Sequence, residues 1–506
     1  MNPRPVPAPA RRPARLPLAA LVALALVAGC SSSDDDGEPM TEDTGVDDPV
    51  MGQGPDAGPD GDSSEGSDGT TGEAPGEAPD EGPDETPDEG PDQTPDGESG
   101  EDPDAQTGPP LAGPDGTAGY AFVSGSTPIS RDAGQIERFT LGDEIVSSGT
   151  TPATGSDIRV ATDGADVYQI GRLRIDSLTR FDPERLDEPL WQYSLNGEET
   201  GANPYDIAFL NERRAYVARY GSPVVWIVDP SAETEANFKL GELDLSAYDT
   251  DGVPNATDVE IVDGKLFVLL QRLTEFTPDK PGYVAVFDTA TDQEIATGAG
   301  RDGLPGIALD VTNPEGLQYV EDTDELLVTG RGNIFENEAV AGDPFQGGVV
   351  SIDPDAYTAD LLVDDGTAED NDGFVAESLV TSADTGYVLT YRIVSEGDEA
   401  FDSETALRRF DPRTGLVAEG VVAGLEERDL AVLALGPRGR LWVGAAEVGG
   451  EPDDTSPGFL LIDPATDTIV DEIRTEFSPT GLVFVPASAE ADGAGDTGAN
   501  AGVAAR

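Results

Sequence analysis

The chain contains no histidine and only one cysteine among its 506 residues. Without an imidazole it lacks the usual general base near neutral pH, and a Ser-His-Asp triad is impossible. The commonest protein ligand for transition metals is missing too. Any bound metal would be held by oxygen atoms, a donor set that suits Ca²⁺ or Mg²⁺. One cysteine excludes an intramolecular disulfide. Lysine is scarce: Lys239, Lys265 and Lys280 are the only three among 29 basic residues. No apolar run reaches the roughly 20 residues that a membrane-spanning helix needs. Neither a Walker A sequence nor a G-x-S-x-G elbow occurs.

What is present is unevenly distributed. Residues 1–30 carry four arginines and no acid. Residues 31–117 carry 28 acids, no base and no aromatic residue. Residues 118–489 hold 70 acids against 24 bases, a net charge of about −46. A surface of that sign repels polyanions, so no nucleic acid is expected as a partner. It fits either solubility in a saline habitat, where charge is screened, or the binding of cations.

Arg4, Arg11, Arg12 and Arg15 precede an apolar stretch of about a dozen residues, Leu16–Val27, the pattern of a signal peptide. It ends in Leu26-Val27-Ala28-Gly29-Cys30, which resembles the lipobox of bacterial lipoproteins. The resemblance implies cleavage after Gly29, acylation of Cys30 and a membrane partner reached through the acyl chains. Ser31 follows where an Asp would favour retention at the inner membrane, so the resemblance points to an outer-membrane lipoprotein of the cell envelope, periplasmic or surface-exposed.

From residue 30 to 117 the chain has too few apolar residues to offset the entropy of ordering. Pro75, Pro79, Pro83, Pro87, Pro91 and Pro95 recur every fourth residue among acids. Proline and like charge both favour extension, so this stretch reads as a disordered stalk. The Gly/Ala-rich stretch 489–506 reads as a disordered tail.

In the remaining part, 118–488, a short phrase recurs: an aliphatic run ending in Asp, usually followed by Pro. It stands at Arg180–Pro183, Ile227–Pro230, Val286–Thr289, Ser351–Pro354, Arg409–Pro412 and Leu461–Pro464, with a degenerate copy at Arg138–Leu141. Spacings of about 42 to 65 residues match propeller blades. Each Asp is expected to accept backbone N–H bonds in the turn after its strand. Before each phrase lies a pair of apolar strands, and after it a fourth. The region opens with a B-like strand, "GYAFVSG" at 119–125, and its missing A strand appears at the far end as "SPTGLVFVP" at 478–486. The last strand should therefore complete the first blade and close the ring, leaving no open edge. The predicted fold is all-β, a seven-bladed propeller of four-stranded blades. The strands "AYVARYG" (215–221), "LLVTGRG" (326–332) and "LWVGA" (441–445), with their Asp-Pro phrases, resemble the YVTN-type, YncE-like propellers of bacterial surface and periplasmic proteins. Such propellers host binding and catalysis alike.

Two other patterns read as loops. Gly298-Ala299-Gly300-Arg301-Asp302-Gly303 fits G-x-G-x-x-G, but no helix follows it, and it is placed between blades. Ser382-Ala383-Asp384-Thr385-Gly386 is similar to a sialidase Asp-box, yet it falls in an A–B turn.

The candidate site is a set of acids at the start of strand A: Asp157, Asp206, Asp258, Glu315, Glu377 and Asp429, with Thr480 in the seventh place. They come in two registers, since Glu315 and Glu377 stand one residue further from the apolar run. A carboxylate ring at the channel mouth could hold Ca²⁺ or another cationic ligand; otherwise the acids cap turns. Long B–C connections at roughly 272–282, 331–347, 393–405 and 446–457, bearing Phe276, Phe335, Phe345 and Phe401, share that face and are a natural binding surface for a protein partner. The reading is a lipid-anchored binding or scaffold module without catalysis. The alternatives are a Ca²⁺-dependent hydrolase similar to gluconolactonases or β-propeller phytases, suggested by Asn313-Pro314-Glu315-Gly316-Leu317, and a purely structural envelope protein.

Overall fold

The computed structural model describes residues 119–486, apart from 129, 198–199, 335–339, 341, 394–402, 426–427, 447 and 449–455. The signal peptide, Cys30, the stalk and the tail lie outside the described residues, as do Phe335 and Phe401.

Strand formation follows from the turns. Each Asp of the repeated phrase ends strand C and accepts the N–H groups of the turn that follows. Asp182 accepts from Glu184, Asp229 from Ser231, Asp411 from Arg413 and Asp463 from Ala465. Asp288 and Asp353 each accept two such bonds. An Asx turn of this kind reverses the chain at a fixed point, which sets the length of the strands on either side.

The strands form seven sheets, all pairs antiparallel. Six follow one another along the chain with innermost strands Ile158–Thr162, Pro204–Asn211, Ala256–Val262, Pro314–Val320, Phe374–Ser382 and Leu430–Gly436. The remaining sheet is built from both ends. Its innermost strand is Ser478–Pro486, paired with Gly119–Ser126, then Gly134–Leu141 and Ile145–Thr150. The ring is therefore closed by the last strand, as the sequence predicts. We number this composite blade 1 and the others 2 to 7, with strands A to D from the axis outwards.

The B strands are buried on both faces, because each blade packs against two neighbours. Val167–Gly171 and Leu266–Leu270 are buried throughout. Apolar clusters fill every space between blades; the one between blades 7 and 1 places Trp442 against Phe459 and Phe484. The outer strands are half-exposed and carry lone aliphatics such as Leu240, Leu361 and Val470.

Blade 4 departs from the pattern. Its outer strand is split into Gln293–Glu294 and Ile307–Thr312, both paired with Pro281–Asp288. The G-x-G-x-x-G stretch is thus an insertion within the outer edge of a blade, a correction to its placement between blades. Tyr283 holds it from inside, donating to the Arg301 carbonyl while its oxygen accepts the Arg301 N–H. Ser382–Gly386 forms an A–B hairpin turn, as expected. Among the described residues no helix is long and apolar enough to cross a membrane.

Candidate functional site

At the start of the A strands, on the face where the B–C connections open, the sheet ladder is interrupted. Register shifts fall between Pro204 and Asp206, Ala256 and Asp258, Pro314 and Leu317, and Val375 and Glu377. A bulge inserts an unpaired residue and re-aims its side chain. In blades 3, 4 and 5 the bulge follows an Asn in the left-handed region: Asn203, Asn255 and Asn313, with φ of 45°, 57° and 51°. Each of these carbonyls accepts the N–H of the residue just after strand B, namely Tyr220, Gln271 and Arg331.

The bulges sort the predicted acids into two roles. Asp206, Asp258 and Glu377 follow the bulged residue, and each reaches forward to a later blade. Asp206 Oδ2 accepts the Val259 N–H of blade 4 (3.0 Å), Asp258 Oδ2 the Leu317 N–H of blade 5 (3.2 Å), and Glu377 Oε1 the Leu433 N–H of blade 7 (3.0 Å). Each recipient N–H lies on the innermost strand of the next blade and finds its acceptor in that carboxylate. These three are latches between consecutive blades. Each caps a backbone N–H of the neighbouring blade rather than a turn of its own.

Glu315 takes the bulge position itself, in the place Tyr205 holds in blade 3. It spans the axis to blade 2, where Oε1 accepts from Arg159 (2.7 Å), while Oε2 accepts from Arg331 (2.5 Å) of its own blade. Its side chain is 7% exposed, and the two guanidinium-bearing side chains are 26% and 22% exposed. Burial would raise the Glu315 pKa, but Arg331, Arg159 and Arg172 outweigh it and hold the carboxyl below its ordinary value. Asp157 pairs with Arg172 (3.3 Å), whose guanidinium lies over the Tyr205 ring at 3.6 Å. Tyr205 in turn stacks on Tyr220. Asp429 contributes its carbonyl, which accepts the Ala446 N–H. Thr480 donates to Ser124 Oγ or to the Ile158 carbonyl.

The six acids are therefore not gathered around one point. Asp157 and Glu315 share the field of Arg172, and the other four are spread around the ring. Among the described residues no group of three or more acids or cysteines is placed to hold a metal ion. The cations at the mouth are the chain's own arginines. Sequence reasoning missed Arg159, Arg172 and Arg331 and the tyrosine pair. A usable signal existed: Asn203, Asn255 and Asn313 each stand three residues before Asp206, Asp258 and Gly316. That offset separates Asp206 and Asp258 from Glu315, but Glu377, with Phe374 three places before it, carries no such mark.

Deeper along the same inner strand lies Glu260. Burial, and then the charge of Asp206, push its carboxyl up to about 8. A raised folded pKa means that the folded state keeps a proton that the unfolded chain has released. Stability from this group is therefore lost as pH rises from about 4.5 to 8. Glu260→Gln is expected to match the parent near pH 4 and to exceed it by a few kcal/mol at pH 8 to 9, measured by urea unfolding across that range. A difference that does not grow with pH would show that Glu260 ionises normally.

No family model matches the chain, and no curated protein matches it. Solved structures do match. The seven sheets closed in a ring make the fold a β-propeller, and these structures are likenesses to this chain only. A "putative 6-phosphogluconolactonase" from Bacteroides fragilis is 16% identical, with 74% of this chain and 99% of that one covered and a TM-score of 0.47. A protein from Lactobacillus plantarum is 12% identical over 73% of this chain and 99% of that one, at 0.44. A streptogramin B lyase is 11% identical over 67% and 93%, at 0.37.

Proposed function

We propose that this chain is a non-catalytic binding module of the bacterial cell envelope, anchored through acylated Cys30 and contacting its partner with the loop face. The observation that carries this reading is the use already made of the axial acids. Asp206, Asp258 and Glu377 hold blade to blade through backbone N–H groups, Glu315 is paired with two arginines and Asp157 with a third. A hydrolytic centre needs a carboxylate free to take a proton or to hold a metal-bound water. Binding needs only a rigid frame with exposed loops, and Phe276, 39% exposed on a B–C connection, supplies an apolar contact there.

Two measurements test the reading, the first on the mature chain with Cys30→Ser and the second on the protein with Cys30 intact. The melting temperature is expected to be the same in EDTA and in millimolar CaCl₂ at fixed ionic strength. A ligand at 100 times its Kd that binds only the folded state adds about 2.7 kcal/mol. A clear rise with Ca²⁺ would favour the metal-dependent hydrolase instead, and lactones and phosphate esters would then be tried as substrates. On intact cells, a photo-crosslinker at Phe276 should give adducts that one at Ala383, in an A–B turn on the opposite face, does not. No adduct from either position would leave a purely structural envelope protein.

A further inference from the structure

One B–C connection of the loop face, in blade 4, carries an aromatic residue at the tip of a strained turn. The Thr274 N–H donates to the Thr277 carbonyl (3.0 Å), and the Thr277 N–H donates back to the Thr274 carbonyl (2.8 Å). Between them Glu275 and Phe276 have φ of 49° and 64°. Positive φ at both central positions makes a type I′ turn, for which Asn-Gly, Asp-Gly or Gly-Gly is preferred. Here a Cβ at each position crowds the following carbonyl oxygen. A two-residue turn on this face does not require such a backbone. Thr367 and Asp370 exchange the same pair of bonds, and neither Ala368 nor Glu369 between them has a positive φ.

The turn is held firmly from below. Lys280 Nζ donates to Thr274 Oγ1 (3.1 Å) and to Asp249 Oδ1 (2.9 Å). Arg272 Nε donates to the Tyr248 carbonyl (2.7 Å), and its guanidinium lies over the Tyr283 ring. The Leu273 N–H donates to Asn255 Oδ1 (3.0 Å), on the asparagine that precedes the bulge of blade 4. Both bases of the connection are thus turned back into the fold, while Glu275 and Asp279 are exposed. Phe276, also exposed, joins none of the apolar clusters among the described residues. The core therefore gains nothing from its ring.

We propose that Phe276 is the anchor of the loop face, and that its partner is a protein whose apolar pocket has a basic rim. The proposal rests on the reading of the loop face as a binding surface. Backbone strain of this kind persists where the surroundings enforce it, and it gathers at ligand contacts. An aromatic ring already fixed in place loses little freedom on binding, which suits an interface anchor. The acidic flanks choose the rim. They repel an anionic lipid surface and a second copy of this chain, whose residues 118–489 carry about −46.

The test uses a photo-crosslinker at Gln346, on the B–C connection of blade 5, in the protein with Cys30 intact on whole cells. Phe276→Ala should lower the adduct yield roughly tenfold or more, and so should Glu275→Arg combined with Asp279→Arg. An unchanged yield with Phe276→Ala would overturn the proposal while leaving a loop face that binds by other residues. An unchanged yield with the two arginines would overturn the basic rim. An adduct of twice the chain's own mass would assign the anchor to a second copy and overturn the proposal too. No adduct from Gln346 or from position 276 would remove the loop-face reading, and the anchor with it. The strain has its own readout. Glu275→Asn with Phe276→Gly installs the preferred turn pair, so it should raise the melting temperature by a few degrees while losing the adduct. A lower melting temperature would show that the fold itself needs Phe276, and would overturn the proposal.

Discussion

Ending the chain at Phe477 is expected to abolish folding, whereas ending it at Pro486 should leave the melting temperature unchanged. The lost strand, Ser478–Pro486, contributes Leu482, Val483, Phe484 and Val485, each no more than 4% exposed. At about 1.5–3 kcal/mol for each fully buried side chain, these four are worth about 6–12 kcal/mol before any ladder hydrogen bond is counted. A typical domain has only about 5–15 kcal/mol of net stability, so the loss takes most or all of it. The truncation also bares Gly119–Ser126 along its inner edge and removes the bonds from Thr480 towards Ser124 and Ile158. Circular dichroism and size exclusion would read the outcome. A truncated chain that stays monomeric and melts cooperatively would show that six blades suffice and that closure is an accessory. A circular permutant with Ser478–Pro486 moved in front of Gly119 should fold, because the strand then forms an ordinary hairpin with its partner.

The second large effect is expected at Glu315. Glu315→Ala leaves Arg159 and Arg331 facing each other across the axis with no acceptor between them. Removing one partner of a buried ion pair costs about 3–5 kcal/mol, since the charge left behind is neither solvated nor paired. The arginines are about a quarter exposed, which places the expectation near 3 kcal/mol, read as a shift in urea midpoint at pH 7. A loss under about 1 kcal/mol would class the triad with ordinary surface pairs. Replacing the whole triad (Arg159→Met, Glu315→Leu, Arg331→Met) should recover most of the loss, because no unpaired charge then remains. The pH dependence has a definite sign. The carboxyl titrates below its ordinary value when folded, so its contribution is present above the unfolded carboxylate pKa and is lost as pH falls through the folded one. Glu315→Gln should therefore flatten the acid limb of the stability curve, the reverse of Glu260→Gln, which acts on the alkaline side.

The architecture was legible because its signals are local. The Asp of each phrase bonds to N–H groups two or three residues on, so the turn is written where it forms. The closing strand was legible from an inventory, since an opening B strand without an A strand must find one elsewhere. The phrase has a second use that no single repeat reveals. A base in one blade donates to the Pro carbonyl of the phrase in the next: Arg138 to Pro183, Arg180 to Pro230, Lys265 to Pro354 and Arg409 to Pro464. The axial acids were found by position, but their roles depend on bulges, and a bulge shifts a side chain by one place without changing the apolar pattern around it. Glu315 and Glu377 look alike in sequence, each one residue early. Only the backbone shows that Glu377 acts like Asp206 and Asp258, while Glu315 sits in the slot of Tyr205 and meets an arginine 156 positions away.

Ring closure by the last strand also has a consequence in time. Gly119–Ser126 leaves the ribosome among the first parts of the propeller, and its inner partner is made last. At about 5–20 residues per second, the interval is on the order of tens of seconds. Contacts of such long range are made late in folding, after the entropy of the intervening loop has been lost. For that whole interval an apolar strand edge waits unpaired, so biogenesis of this protein should depend on whatever shields a nascent β-edge until synthesis ends.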